Sequence, residues 1–313
     1  LIIDKPEGFT SHDVVAKVRK ILRTKRVGHT GTLDPFATGV LVVMVGRATR
    51  LAQFLDKDKK GYEAVVRLGY STDTGDKTGN RKEEIGSRKE EIGNRKVELT
   101  RENLDKVLAE FLGETQQTPP MYSAKKVAGK KLYELARKGI EVERKPVRIN
   151  IYELEILSHD DGEIFTRNED GTADVKIKVL CSAGTYIRVL AEDIGKKLGR
   201  GAHLTELQRT SAGKFNLSRA VTLEKLAWIV EEEKLPDILI PMNEAVSHLS
   251  EIKLSGEDIR SVMHGMKIAT EDEFAGGQFV RMCDEEKNLI AIGAYDAVTK
   301  KLQPNIVFVN AGE

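Results

Sequence analysis

Apolar residues recur along the chain with two periods, and the switch between them marks its elements. Val14, Val15, Val18, Ile21 and Leu22 fall on one face at helical spacing. Thr10, three residues before Asp13, predicts a capped start at Thr10 or Ser11, and the basic run Arg23, Lys25 and Arg26 closes that helix. Period-two alternation appears at Tyr62, Ala64, Val66 and Leu68, then at Val147, Ile149 and Ile151, and again at Val175, Ile177, Val179 and Cys181. These stretches predict half-buried strands. The unbroken run VLVVMV (40–45) predicts a strand buried on both faces, and helices are expected at about 100–112, 186–198 and 222–233. Strands and helices mix without strict βαβ alternation, so the expected fold class is α+β on a mixed central sheet flanked by helices, not a doubly wound sheet.

Composition shifts at EEEKLPDILIP (231–241). Beyond it, the short strand patterns FVRMC, LIAIGAY and IVFV, punctuated by Gly265, Gly276, Gly277 and Gly293, predict a small β-barrel. The boundary falls near residue 236, dividing the chain into 1–236 and 237–313. Residues 79–99 read GNRKEEI, GSRKEEI, GNRKVEL. One apolar position per heptad cannot build a coiled-coil seam, so this repeat is expected to be a charge-balanced surface insertion without chemistry.

A length of 313 residues suits a large domain with a smaller appended module. With 40% hydrophobic and 32% charged residues, and no apolar run near the ~20 residues that span a bilayer, no membrane role is expected. The opening LIIDKPEGFTS lacks a signal-peptide pattern and begins at Leu1, as if the initiator methionine were missing. Cys181 and Cys283 stand far apart with no CxxC pair, which predicts neither a disulfide framework nor a cysteine zinc site and suits a reducing cytoplasm. The formal net charge of +1 gives no reason by itself to expect a nucleic acid, so the distribution of charge must decide. Between residues 125 and 148, Lys and Arg outnumber Glu nine to three, with Lys125, Lys126, Lys130, Lys131 and Arg137 at the centre of the cluster. Such a cluster is where phosphate should bind, or else a solvated basic helix.

The Gly-rich stretch GHTGTLDPFATG (28–39) cannot be a regular element, yet it runs straight into the buried strand at 40–45. It is therefore a loop anchored to a rigid sheet. Asp34-Pro35 within it reads most simply as a turn start. Alternatively, the glycines let a polymer approach the backbone while Asp34 acts as nucleophile or general base. Neither GxxxxGK[ST] nor GxGxxG occurs, and DTGDKTGN (73–80) lacks the spacing of a calcium loop.

RVGHTGTLDPFATGVL (26–41) resembles the catalytic motif of TruB-type pseudouridine synthases. DKPEGFTSHDVV (4–15), GYEAVVRLGYSTDTGD (61–76), PPMYSAKKVAGKKLYELARKG (119–139), CSAGTYIRVLAEDIG (181–195) and GAHLTELQRTSAG (201–213) follow in that family's order. The resemblance implies a pseudouridine synthase fold that isomerises the T-loop uridine at tRNA position 55 with no cofactor and no metal. It makes Asp34 the nucleophile, Arg188 its guanidinium partner, and Tyr62 the residue that stacks on the flipped uracil. Tyr186 and Leu207 become pocket walls, Asp73 a residue near the base edge, and His29 the side chain that takes the place of the extruded nucleotide. It further implies that residues 119–150 form a thumb-like insertion gripping the T arm, that 237–313 form a PUA-like domain facing the acceptor end, and that the protein acts as a monomer without a guide RNA.

Three rivals stand beside this reading: a guide-RNA-dependent catalytic subunit of the same family, an RNA-binding or folding factor that has lost catalysis, and a nucleoside-cleaving glycosylase. The long YSAKKVAGKKLYELARKG insertion argues against the first, and intact Asp34, Tyr62 and Arg188 argue against the second. The third would ordinarily pair its carboxylate with a second one where the motif offers an arginine.

Overall fold

In this computed structural model, the structure describes residues 1–309 apart from 57, 83–97, 124, 128 and 159–161. Most of the heptad repeat at 79–99 therefore lies outside the described residues. The chain opens with β1 (Ile2–Lys5), α1 (Ser11–Ile21), β2 (Val27–Thr30) and β3 (Thr38–Val45), then α2 (Ala52–Leu55) and β4 (Lys60–Gly69). There follow α3 (Arg101–Ala109), β5 (Gly113–Gln117), the short pair β6 (Lys126–Val127) and β7 (Lys130–Lys131), and α4 (Leu132–Ala136). β8 (Val147–Leu157), β9 (Phe165–Arg167), β10 (Ala173–Cys181), α5 (Ile187–Lys197), β11 (Gly201–Ala212), β12 (Phe215–Asn216) and α6 (Leu223–Glu231) complete the larger part. After α7 (Met242–Ala245) come β13 (Ser250–Lys253), α8 (Gly256–Met263), β14 (Ile268–Ala269), β15 (Phe279–Cys283), β16 (Leu289–Asp296) and β17 (Lys301–Val307).

A 10-stranded mixed sheet runs in the order β1-β3-β11-β4-β10-β8-β5, with β2 on β3, β12 on β11 and β9 on β10. At its centre, the alternation read in β4 turns Tyr62, Ala64, Val66 and Leu68 inward, opposite Val179, Ile177, Val175 and Ala173 of β10. α3 and α5 cover that face, packing Leu104, Leu108, Leu190, Ala191 and Ile194 onto it. α1 starts at the expected capping box, in which Thr10 Oγ1 accepts from the Asp13 amide and the Asp13 carboxylate accepts from the Thr10 amide. Its Val14, Val15 and Val18 pack with Ile3, Leu41, Val43, Leu223 and Leu226, each side chain contributing about 1.5–3 kcal/mol through burial.

Two features depart from the sequence expectation. The glycine-rich stretch 28–39 is not irregular throughout, because β2 takes its first residues and pairs Val27–Thr30 with Val45–Val42 of β3. The 12-residue β11 had no period-two signature, since bulges at Leu204/Glu206 and Arg209/Ser211 break the alternation. The first bulge lets Leu204 and Leu207, three residues apart, both be buried.

The second sheet has five strands in the order β13-β15-β16-β17-β14 and, with α8, forms the expected PUA-like module. It shares a core with the first. Ile2, Val40, Val42 and Met44 meet Val246, Ile292 and Phe308 in one apolar cluster, and Phe54 packs edge-on against Phe279 with ring centroids 5.1 Å apart. Arg47 Nη1 also donates to the Phe308 carbonyl at 2.8 Å. Among the described residues, no helix is long and apolar enough to cross a membrane.

Two substitutions test how this part is held. Leu41→Ala, at a fully buried position, is expected to cost about 2–5 kcal/mol, and Thr10→Ala about 1 kcal/mol through the lost cap. Urea unfolding should therefore rank Leu41→Ala well below Thr10→Ala; equal midpoints would contradict the packing described.

Candidate active site

β3 touches β11 only at Thr38 and Gly39, and its remaining length on that edge is taken by β2. The sheet splits there, and the loop 31–37 sits in the split. The close approach explains one glycine. Gly39 has φ +96°, and a Cβ at that position would run into the backbone of Arg209.

Side chains pin this loop from every direction. Ser11 Oγ donates to the Leu33 carbonyl at 3.3 Å and accepts from the Leu33 amide at 2.9 Å. Arg209, almost wholly buried, donates from Nε to the Val40 carbonyl at 2.7 Å and from Nη2 to the Gly31 carbonyl at 2.9 Å, bridging the split. The buried Lys5 ammonium donates to the carbonyls of Pro6, Phe9 and Pro35. Burial pushes Lys5 down to about 8, against the pull of Asp34. The loop that carries Asp34 is thus tied by side chains to β1, α1 and β11.

Arg188 lies at the start of α5 with 4% of its side chain exposed. Its Nε donates to Asp34 Oδ2 at 2.8 Å and its Nη2 to Asp34 Oδ1 at 3.2 Å, the paired geometry that only a guanidinium offers. The same side chain donates to the carbonyls of Thr74 at 2.6 Å and Tyr122 at 2.7 Å, and Asp76 Oδ2 stands 3.9 Å from Nε. Asp34 retains 34% of its side-chain surface, and that surface opens into a cleft of about 670 Å³. His29, Tyr62, Tyr186, Leu207 and Arg209 also line it. A volume of this size accommodates a nucleotide.

Electrostatics in the cleft follow from burial. The Asp34 carboxyl is pushed up from the usual carboxylate range, first by loss of water; the Arg188 charge opposes this and Asp76 adds to it. The guanidinium therefore limits the rise without cancelling it, and it leaves a carboxylate that is more basic than usual. Burial also pushes the Tyr62 phenol up, against the neighbouring Arg209 guanidinium, and raises Tyr186. His29 is pushed down by burial, then by Arg209, so its ring is neutral at pH 7.

Asp73 stands apart from this group. It is exposed, accepts from the Asn80 amide at 2.9 Å, and lines a neighbouring cleft on the far side of Arg188. Asp76 is the carboxylate of that segment that turns toward Arg188. Its Oδ1 accepts from Thr74 Oγ1, the Thr78 amide and Thr78 Oγ1. The Thr-x-Asp-x-Thr spacing of 74–78 was the available signal for such a turn. Sequence reasoning also passed over Lys60 and Arg209, each at a two-residue offset from a chosen pocket residue, Tyr62 and Leu207 respectively.

The basic cluster is not one helix. β6 and β7 form a two-stranded ribbon through Lys126↔Lys131 and Val127↔Lys130, followed by the five-residue α4. Lys130 and Arg137 are exposed and Lys125 half-buried. The Tyr133 amide donates to the Ser123 carbonyl at 3.0 Å, and Ser123 lines the Asp34 cleft, so the ribbon springs from its rim. Among the described residues no cluster of His, Cys, Asp and Glu could hold a metal ion.

A family model described as "TruB family pseudouridylate synthase (N terminal domain)" matches residues 19–187, more than half of the chain. The chain belongs to the TruB family of pseudouridylate synthases. A second model, "tRNA pseudouridylate synthase B C-terminal domain", matches residues 188–247. The chain is 44% identical over 275 residues to the tRNA pseudouridine synthase B of Bacillus pumilus (strain SAFR-032), covering 88% of this chain and 84% of that one. It is 42% identical over 295 residues to that of Solibacter usitatus (strain Ellin6076), covering 94% of each. Among solved structures it resembles the crystal structure of a Cbf5-Nop10-Gar1 complex, at 28% identity and a TM-score of 0.71, over 99% of this chain and 84% of that one. It also resembles the structure of an H/ACA RNP bound to a substrate RNA containing 2′-deoxyuridine, at 25% identity and a TM-score of 0.71, over 100% and 85% respectively.

Burial predicts that the Asp34 carboxyl protonates with a midpoint above the ordinary value of about 3.9. An NMR titration of the Asp34 side-chain carboxyl carbon with a midpoint at or below that value would contradict the burial described.

Proposed function

We propose that this protein isomerises the T-loop uridine at position 55 of tRNA to pseudouridine, with Asp34 as the nucleophile. The observation that carries the proposal is the two-pronged Arg188–Asp34 contact on the floor of a nucleotide-sized cleft. The reaction breaks the N1–C1′ bond, forms C5–C1′, removes the proton from C5 and leaves one on N1. Nothing is oxidised or hydrolysed. A carboxylate suffices as nucleophile, whether it attacks C1′ of the ribose or C6 of the base.

Each wall of the cleft has a task in this reading. A uridine stacked in a loop must swing out before Asp34 can reach it, and the neutral His29 ring fills the space it leaves. Tyr62 stacks on the uracil, and its hydroxyl relays the late proton transfer, taking the C5 proton as it passes its own on toward N1. Leu207 and Tyr186 keep water from the detached base. Arg188 aligns the carboxylate and moderates the rise in its pKa. Asp73, in the adjoining cleft, contacts RNA outside the base pocket.

The ribbon and α4 within 119–150 grip the phosphates of the T arm, and the module in 237–313 faces the acceptor end. The named relatives are tRNA pseudouridine synthases, which supports action on tRNA; in this reading the protein acts on it directly, as a monomer in the cytoplasm, without a guide RNA or cofactor. The complexes among the structural neighbours are assemblies of those proteins.

Tritium release from a bare tRNA transcript carrying 5-tritiated uridine tests the reaction. Release is expected from the wild type and at least 10³-fold less from Asp34→Asn, while both bind RNA; equal release would overturn the assignment of Asp34. For the grip, replacing Lys125, Lys130 and Arg137 together by Gln should weaken tRNA binding and lower the slope of log Kd against log salt by about two to three. An unchanged slope would remove the ribbon from the interface.

A further inference from the structure

Among the described residues, two buried cations of the Asp34 cleft have no carboxylate in ion-pair contact. One is Arg209, which donates to the Val40 and Gly31 carbonyls. The other is Lys60, 5% exposed, whose Nζ has no hydrogen-bond partner among the described residues. Lys60 opens β4 two residues before Tyr62, so both side chains leave the sheet on the same face and both line the cleft.

Their cationic ends converge on one spot. A Cβ built on Gly31 would lie 3.2 Å from Arg209 Nη1 and 3.7 Å from Lys60 Cε. Gly31 has φ +67°, so this corner is bounded by bare backbone. Thr30 Oγ1, next to Gly31 in sequence, and His29 Nδ1, one residue further back, also line the cleft, and both are buried without a hydrogen-bond partner among the described residues. Asp56 and Asp58 act on Lys60 only through space, and burial pushes its ammonium down from the ordinary value. A buried, unpartnered ammonium beside a guanidinium is costly to a fold. It belongs where an incoming anion supplies the missing charge.

We infer that Lys60, together with Thr30 and Arg209, forms an anion subsite inside the cleft that takes a backbone phosphate flanking the flipped uridine. Uracil and ribose are uncharged, and the phosphodiester is the substrate's only anion. An ammonium with three donors and a hydroxyl suit its acceptor oxygens. The subsite rests on the reading that the cleft receives a nucleotide out of an RNA. It adds a second anchor point within the cleft, apart from the Asp34–Arg188 floor, whose effect is on how tightly the RNA is held.

The test uses the full-length protein and a T-arm stem-loop RNA, in which one or the other phosphate flanking the target uridine is replaced by an uncharged methylphosphonate. Lys60→Gln is expected to weaken binding about tenfold at low salt and to reduce the slope of log Kd against log salt by about one. kcat should stay near that of the wild type, and Lys60→Arg should restore most of the affinity. The methylphosphonate at one flanking position should weaken wild-type binding by the same factor and leave Lys60→Gln unaffected. Unchanged affinity and slope in Lys60→Gln, losses that add at both positions, or a loss confined to kcat would each overturn the subsite. Lys60→Met separates a structural role: removing an unpartnered buried ammonium should leave the melting temperature unchanged or raised, and a fall of several degrees overturns the proposal. Because the readout is binding, wild-type protein that binds the RNA but releases no tritium would count against the proposed reaction and leave the subsite standing.

Discussion

The arrangement turns on one guanidinium. Arg188 is held at the start of α5, buried, and its nitrogens reach Asp34, the Thr74 carbonyl and the Tyr122 carbonyl. Those groups come from three segments that share little else: the loop between β2 and β3, the turn after β4, and the base of the basic ribbon. Taking a charge of this kind out of water is unfavourable unless every donor finds an acceptor, so burying Arg188 obliges all three segments to close around it. The cleft is the space left open on the Asp34 side of that closure.

The same burial sets the chemistry. Loss of water raises the Asp34 carboxyl more than the Arg188 charge lowers it, so the group is both aligned and more basic than a solvated aspartate. A TruB-family pseudouridylate synthase benefits on both counts, because alignment reduces the entropy of attack and desolvation keeps water from competing. Rigidity comes from Lys5, Ser11 and Arg209, which end on backbone atoms of the loop or its flanks. These are structural cations and donors placed beneath Asp34, and they explain how a loop rich in glycine holds a carboxylate in one place.

The shared apolar cluster of Val40, Val42 and Met44 with Ile292 and Phe308 ties the C-terminal sheet to the back of the strand that follows the Asp34 loop. The second module is therefore seated on the same structural element that supports the cleft, and the basic ribbon rises from the rim at Ser123. Any RNA bound by both would be oriented with respect to Asp34 by elements that meet on β3 and Arg188.

Local pattern determined much of this. Alternation in β4, β8 and β10 and the capped spacing of α1 read correctly, because each depends on neighbours a few residues away and on which face is buried. Asp34 and Arg188 lie in separate motifs that resemble one family, and the fold brings the pair to 2.8 Å. β11 was not legible, since its bulges break the period that betrays a strand, and with it Arg209 went unread. Asp76 and Asp73 lie in one short polar run, and nothing local distinguishes the carboxylate that turns toward Arg188 from the one that faces solvent. Lys60 looked like one lysine among several; its burial with no hydrogen-bond partner among the described residues comes from its place between β10 and β11 beside the Gly31 corner. Sequence alone thus determined element types and the residues able to do chemistry. Only tertiary structure decided which charges lose water and which of them find a partner, because burial and pairing depend on segments far apart in the chain.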